Sequence, residues 1–137
     1  MSERPAVGRR YAAVRQLLEG ERVGSFAAAV SGGDPAFAPG SVPPTFAAVY
    51  GLMPTLSQLF ADPDLGIDLA GLIHAEQSFE WPHPPHAGDV VDAVLEIESL
   101  ERRRGLTILS LRLEASNQAG EVVCRGRSML LARGKGE

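Results

Sequence analysis

Cysteine, lysine and long apolar runs are nearly absent from this chain of 137 residues. Cys124 is the only cysteine, so no disulfide can form within the chain, and a reducing compartment suits it. Lys135 is the only lysine, and the formal net charge of −4 argues against a nucleic-acid partner. No apolar run approaches the roughly 18 residues of a membrane span, and residues 1–10 lack the apolar core of a signal peptide. We therefore expect a cytoplasmic protein that contacts no membrane.

The rest of the composition is that of an ordinary globular domain. Hydrophobic residues make up 45% of the chain and charged residues 22%, which excludes disorder as its main state. The length suits one domain, so we expect residues 1–137 to form a single domain whose core spans about residues 10–133. Glycine and proline are plentiful, at 15 and 10 residues, and this excess indicates many turns.

Apolar spacing predicts two helices in the first half of the chain. Residues 10–18 predict either a first strand or a short helix, and residues 19–30 predict a helix with one apolar face. That face would consist of Val23, Phe26, Ala27 and Val30. Residues 45–60 predict a second helix, apolar on nearly every side and therefore buried. It begins after two prolines, and Pro54 should kink or divide it.

Alternation of apolar and polar residues predicts strands in the second half. They cover residues 72–81, 89–101, 106–115 and 121–132, with a turn at 116–120. Their inward faces would include Val91, Ala93, Leu95 and Ile97, followed by Leu109, Leu111 and Leu113. Consecutive strands with short turns imply an antiparallel meander, and the apolar helix is the only available cover for one face. The pattern predicts an α+β hot-dog fold, a curved antiparallel sheet wrapped around a buried central helix.

Several short motifs resemble one enzyme family. They are FAAAV at 26–30, GDP at 33–35, PPTF at 43–46, HAEQSFEW at 74–81 and AGDVV at 87–91. Residues 19–133 are similar to the MaoC-like (R)-hydratase/dehydratases, and most similar to the N-terminal domains of the FAS1-like dehydratase group. The resemblance implies water addition to a trans-2-enoyl thioester, or its reverse, on acyl-CoA or acyl-carrier protein, without a cofactor. It also implies paired hot-dog protomers with an acyl tunnel between them.

The chain departs from the family pattern at its acid–base motif. Active members carry an Asp and a His in a D-x-N-P-x-H loop, and alignment on Pro35 places Gly32 and Phe37 at those positions. The backbone N–H that polarises the thioester carbonyl falls at or beside Pro44, and proline has no N–H. We therefore expect no catalytic residue here. The resemblance then implies a catalytically silent subunit that shapes the tunnel of a catalytic hot-dog partner.

Two further hypotheses stay open. The first is a homodimeric dehydratase or thioesterase that uses Asp34, His74 or Glu76 instead of the usual pair. The second is a non-enzymatic module that binds acyl thioesters. If a tunnel exists, the expected substrate-binding residues are Thr45, Phe46, Tyr50, His74, Gln77 and Phe79. The simpler interpretations are a turn-fixing role for Asp34, a structural histidine at position 74 and core packing for Phe46, Tyr50 and Met53.

The remaining candidate residues favour structural interpretations. His83 and His86 lie in a proline-rich loop without further ligands, so no metal site is expected there. Cys124 lacks a histidine partner and is interpreted as a core thiol. Residues 102–104 are three consecutive arginines at the end of a predicted strand. They predict a solvated hairpin loop, or else a contact with the phosphates of CoA or with an acidic carrier protein.

Overall fold

A computed structural model of the chain describes residues 6–31, 41–67 and 69–133. Within them lies a five-stranded antiparallel sheet of strand order β1-β3-β4-β5-β2. In chain order the elements are β1 (Val14–Leu17), α1 (Gly20–Ser31), a 3-10 turn (Pro44–Phe46), a π-helical segment (Ala48–Leu52), α2 (Met53–Phe60), a second 3-10 turn (Leu69–Gly71), β2 (Ile73–Glu80), β3 (Val90–Arg103), β4 (Leu106–Ser116) and β5 (Val122–Arg133). Of the two alternatives for residues 10–18, the strand is correct.

The predicted meander exists for β3, β4 and β5, which pair in sequence order. A two-residue turn joins β3 to β4, and Arg104 and Gly105 both have positive φ, at 51° and 78°, as a tight hairpin requires. The prediction is wrong for β2, which pairs with β5 instead of β3. Residues 82, 84 and 85 between β2 and β3 are prolines, which cannot donate to a ladder, so this connection crosses to the far side of the sheet.

The core lies on the inner face of the sheet, as alternation predicted. Every residue of the two predicted inward faces is buried, and buried residues of β5 extend the same surface. The members from β3 to β5 are Val91, Ala93, Leu95, Ile97, Leu109, Leu111, Leu113, Ala115, Val123, Cys124, Leu130 and Ala132. Burial of each large aliphatic side chain contributes about 1.5–3 kcal/mol, so this face is the main source of stability.

Residues 44–60 form the central helix, which combines the first 3-10 turn, the π-helical segment and α2. It packs against β3 and β4. Pro54 has no N–H for the Tyr50 carbonyl and would clash with it in a regular α-helix, and the π-helical segment lies immediately before this proline. At Gly51 the helix approaches the sheet closely, since a Cβ atom there would lie 3.1 Å from Leu113 Cδ2.

Both predicted helices bury less surface than their sequences suggested. The central helix is not buried on nearly every side, because Met53 is 66% exposed. In α1, Val23 is buried and Phe26 is partly buried, but Val30 is 51% exposed. The apolar faces therefore extend beyond what the described residues cover. Among the described residues, no helix is long and apolar enough to cross a membrane.

Candidate functional site

A β-bulge in β2 brings His74 and Gln77 to the same face of the sheet. Residues three apart on a regular strand point to opposite faces. Here the register shifts between His74 and Glu76, so His74 lies opposite Leu130 and Gln77 lies opposite Ser128. Both partners belong to the buried face of β5. The bulge thus places two of the predicted substrate-binding residues together, at an edge of the inner face.

The amide of Gln77 connects this pair to the core. His74 Nε2 lies 2.9 Å from Gln77 Oε1, and the hydroxyl of Ser128 donates to the same oxygen. The amide nitrogen of Gln77 donates to the carbonyl of Ser78 at 3.0 Å. Ser128 is buried and His74 is exposed, so the three side chains form a chain of hydrogen bonds from the core to the sheet edge.

Phe79 lies next along the inner face of β2, opposite Gly126. Its ring covers the strand at that glycine, since a Cβ atom on Gly126 would lie 3.0 Å from Phe79 Cδ1. The ring of Trp81 lies 5.8 Å from that of Phe79, centroid to centroid. The inner face of β2 therefore changes from polar at His74 and Gln77 to aromatic at Phe79.

The central helix contributes the other aromatic candidates. The ring of Phe46 contacts Phe26 edge-on at 5.0 Å and lies 6.2 Å from the ring of Tyr50. Phe46 and Tyr50 are buried, whereas Thr45 is exposed at the start of the helix. In this chain alone, core packing accounts for Phe46 and Tyr50. Of the three candidates on the central helix, Thr45 is the one that a ligand can reach.

The hydroxyl of Tyr50 is buried without a hydrogen bond of normal geometry among the described residues. Its polar neighbours are the thiol of Cys124 and the indole of Trp81, whose Nε1 is likewise unpaired. Burial raises the pKa of Tyr50 above its ordinary range and raises the pKa of Cys124 to about 11. A buried thiol with a raised pKa is a poor nucleophile, which confirms the interpretation of Cys124 as a core thiol.

Other candidates lie apart from this surface. Glu76 pairs with Met129, outside the cluster of His74 and Gln77, and is exposed. Asp34, together with Gly32 and Phe37, lies outside the described residues. The structure therefore brings together His74 with Gln77 and Phe46 with Tyr50, and it supplies no test of Asp34.

The histidine and arginine motifs take part in local contacts. His83 Nδ1 lies 3.3 Å from the carbonyl of Val122, and the backbone N–H of His86 donates to Asp89 Oδ2 at 2.9 Å. No group of three potential metal ligands occurs in the part of the chain that the structure describes. Arg102 donates to Thr107 Oγ1 at 3.0 Å, so it braces the β3–β4 hairpin.

Sequence reasoning missed Ser128 and Trp81. Ser128 carries no local signal, because its role follows from the pairing of β2 with β5. Trp81 ends the HAEQSFEW motif, and a lone tryptophan beside an alternating strand was a usable signal for an aromatic surface.

Comparison with protein-family models decides the class of protein. The model described as FAS1-like, dehydratase domain region, matches residues 5–125. The chain belongs to this family. It is 36% identical to a UPF0336 protein of Saccharopolyspora erythraea over 95 residues, which make up 69% of this chain and 60% of that protein. It is 31% identical to a UPF0336 protein of Streptomyces coelicolor over 140 residues, covering 93% of this chain and 92% of that protein.

Solved structures confirm the hot-dog fold. The C-terminally truncated HadBC (3R-hydroxyacyl-ACP dehydratase) complex of Mycobacterium tuberculosis has a TM-score of 0.72 and 24% identity, covering 92% of this chain and 96% of that chain. The MaoC-like dehydratase of Rhodospirillum rubrum has a TM-score of 0.68 and 19% identity, covering 96% and 95%. The (R)-hydratase of A. caviae has a TM-score of 0.57 and 28% identity, covering 90% and 94%. The predicted hot-dog fold is thereby confirmed, and the family model confirms the predicted relation to the FAS1-like dehydratase group.

Proposed function

We propose that this chain, as one hot-dog domain, is a subunit of an enoyl-thioester hydratase or (R)-3-hydroxyacyl-thioester dehydratase. The observation that carries the proposal is membership of a dehydratase family with Gly32 and Phe37 at the acid–base positions. Neither side chain can exchange a proton. The catalytic Asp and His therefore come from a partner hot-dog subunit with an intact D-x-N-P-x-H motif.

The reaction needs two groups that this chain does not offer in the family's positions. Hydration delivers a hydroxyl to C3 and a proton to C2 of the enoyl thioester, so a base must activate water and a donor must polarise the carbonyl. The partner of His74 in the structure is the amide of Gln77 and not a carboxylate. This geometry supports a binding role for His74 better than a catalytic dyad.

Substrate binding is the contribution we assign to this chain. The inner face of β2 offers hydrogen-bonding groups at His74 and Gln77 and an aromatic surface at Phe79. We place the polar thioester arm of acyl-CoA or acyl-carrier protein along the first two residues and the acyl chain along Phe79. Phe46 and Tyr50 pack in the core behind this surface, and Thr45, exposed at the start of the central helix, is placed at the tunnel entrance.

We place the partner at the β2 edge of the sheet, one of its two edges among the described residues. β2 is an edge strand of eight residues, and Ile73 on it is 59% exposed. An edge strand presents free backbone N–H and C=O groups that a second sheet can pair with. The HadBC comparison concerns a two-chain 3R-hydroxyacyl-ACP dehydratase, which supports this arrangement. We infer a cytoplasmic complex of this kind.

Reconstitution tests the proposal. The chain is purified alone, the hot-dog protein with an intact motif from the same genome is purified alone, and the two are then mixed with crotonyl-CoA. We expect a stable complex and hydration by the mixture at a rate well above that of either protein alone. An Asp→Asn change in the partner's motif should abolish turnover, whereas His74→Ala in this chain should mainly raise KM.

Two results would overturn the proposal. Full activity of this chain alone, lost in His74→Ala with the fold intact, would make it a self-sufficient dehydratase or thioesterase. Binding of crotonyl-CoA by this chain without turnover in any mixture would make it a binding module without an enzymatic role.

A further inference from the structure

We propose that Gln77 and Ser128 position His74 so that its Nε2 carries a proton and its Nδ1 offers a lone pair to an amide N–H of the bound thioester arm. The inference about the ligand rests on the proposed function. The inference about the histidine rests on the hydrogen bonds alone. Ser128 and Gln77 are thus positioning residues, and His74 is the residue that contacts the ligand.

The orientation of the Gln77 amide is fixed by its neighbours. Its nitrogen must face the Ser78 carbonyl, which lies 3.0 Å away and can only accept. Its oxygen therefore faces the hydroxyl of Ser128, which donates to it. Ser128 is only 5% exposed, so the core holds this end of the chain of hydrogen bonds in place.

The fixed amide determines which nitrogen of His74 is protonated. Gln77 Oε1 has no proton to give, so His74 Nε2, at 2.9 Å, must be the donor. In the neutral ring the lone pair then lies on Nδ1, and a second-shell hydrogen bond commonly sets the tautomer in this way. An amide achieves this without a charge, whereas a carboxylate partner would favour the imidazolium, which cannot accept a hydrogen bond.

The free nitrogen lies where a ligand can reach it. Nδ1 of His74 has no hydrogen-bond partner among the described residues, and the side chain is exposed. The bulge keeps it on the inner face of β2, the face on which Gln77 and Phe79 also lie. A pantetheine arm carries amide N–H groups between its thioester and its phosphate, so it supplies donors of the required kind.

Nuclear magnetic resonance tests the positioning. Long-range 1H–15N spectra of histidine-labelled protein at pH about 8.5, above the ordinary pKa of histidine, report the tautomer of each ring. We expect the Nε2-protonated fraction of His74 to be nearly complete in the wild type and to fall toward the mixture of free imidazole in Gln77→Leu and Ser128→Ala. His83 is an internal comparison, because its Nδ1 faces a carbonyl and should carry the proton. An Nδ1-protonated His74, or the same mixture of tautomers in the wild type and both variants, would overturn the inference.

Calorimetric titration of the two-subunit complex with crotonyl-CoA tests the ligand contact. His74→Asn keeps an acceptor at the position of Nδ1, and His74→Gln keeps an amide only at the position of Nε2. We expect the Asn variant to bind within about threefold of wild type, and the Gln and Gln77→Leu variants to bind about tenfold more weakly. Equal loss in both His74 variants overturns the contact. If the wild-type complex does not bind crotonyl-CoA, the proposed function fails, and the tautomer measurement still decides the positioning.

Discussion

At the residue scale, close contacts between residues that are far apart in the chain determine which side chains form the candidate site. The local sequence does not show that position 126 needs a glycine, because the lack of space for a Cβ atom comes from the ring of Phe79 on another strand. The sequence predicts that Tyr50 lies on an apolar helix. It does not predict that the Tyr50 hydroxyl lacks a hydrogen bond, because this depends on which residues of the sheet surround it. Such contacts join residues far apart in the chain, so periodicity cannot reveal them.

Gly126→Ala tests the contact with Phe79. The added Cβ atom would lie 3.0 Å from the Phe79 ring and 3.3 Å from Gln77 Nε2, so both side chains must give way, and overpacking of this kind costs about 1–3 kcal/mol. We expect that loss in the free energy of unfolding, measured with urea, together with weaker binding of crotonyl-CoA by the complex. Gly24→Ala is the control, because no atom lies within 4 Å of a Cβ there and alanine favours the helix. Unchanged stability in Gly126→Ala would contradict the packing.

Tyr50→Phe tests the buried hydroxyl. Removing an unpaired buried polar group relieves its desolvation cost, so we expect stability to rise by about 1 kcal/mol in urea denaturation. Tyr11→Phe is the matched control, because the Tyr11 hydroxyl donates to Asp62 at 2.7 Å and its removal should cost about 1–2 kcal/mol. A clear loss of stability in Tyr50→Phe would show that a buried water or the thiol of Cys124 pairs with the hydroxyl.

At the element scale, alternation predicted the strands well and their pairing poorly. β3, predicted over 89–101, covers Val90–Arg103, because its alternate residues meet the core and leave a clear pattern. The pairing of β2 with β5 and the bulge at His74 were not predictable, since periodicity carries no strand order. His74 and Gln77, three apart, would even be assigned to opposite faces of a regular strand. Motif resemblance therefore selected His74 and Gln77 as candidates, and the bulge brings them to one face of the sheet.

Asp62 connects the end of the central helix to the N-terminal segment. It accepts hydrogen bonds from Arg9 and Tyr11 and from the backbone N–H of Asp64. Burial alone would raise the pKa of Asp62, but these hydrogen bonds outweigh it and hold the pKa below its usual value. A lowered folded-state pKa stabilises the protein above the unfolded-state value, and this stability disappears as the pH falls through the folded-state pKa.

Asp62→Asn should therefore lower the free energy of unfolding by about 1–3 kcal/mol at pH 7. The difference from wild type should shrink as the pH falls below about 4, because wild type then loses the same interaction. Urea denaturation across this pH range measures it. Asp64→Asn is the control, since Asp64 is more exposed and its ion pair with Arg9 contributes less. A difference that does not depend on pH would contradict the ionic role of Asp62.

At the scale of the whole molecule, the chain leaves apolar surface uncovered at both edges of its sheet. Ile73 on β2 is 59% exposed and Leu17 on β1 is 52% exposed. β2 is twice as long as β1, with eight residues against four, so we assign the partner to β2. Ile73→Glu should lower the mass of the complex to that of separate chains in sedimentation experiments. Leu17→Glu should leave it assembled, and the reverse result would place the interface on the β1 edge.

We propose that this chain belongs to a dehydratase complex without supplying its acid–base pair. The most direct measurement is the turnover of crotonyl-CoA by the purified chain alone, followed by the same assay with its catalytic partner. A slow enzyme typically turns over at roughly 1 per second. For the chain alone we expect less than about one hundredth of that rate, and for the complex we expect about 1 per second or more. A turnover of about 1 per second or more by the chain alone would contradict it.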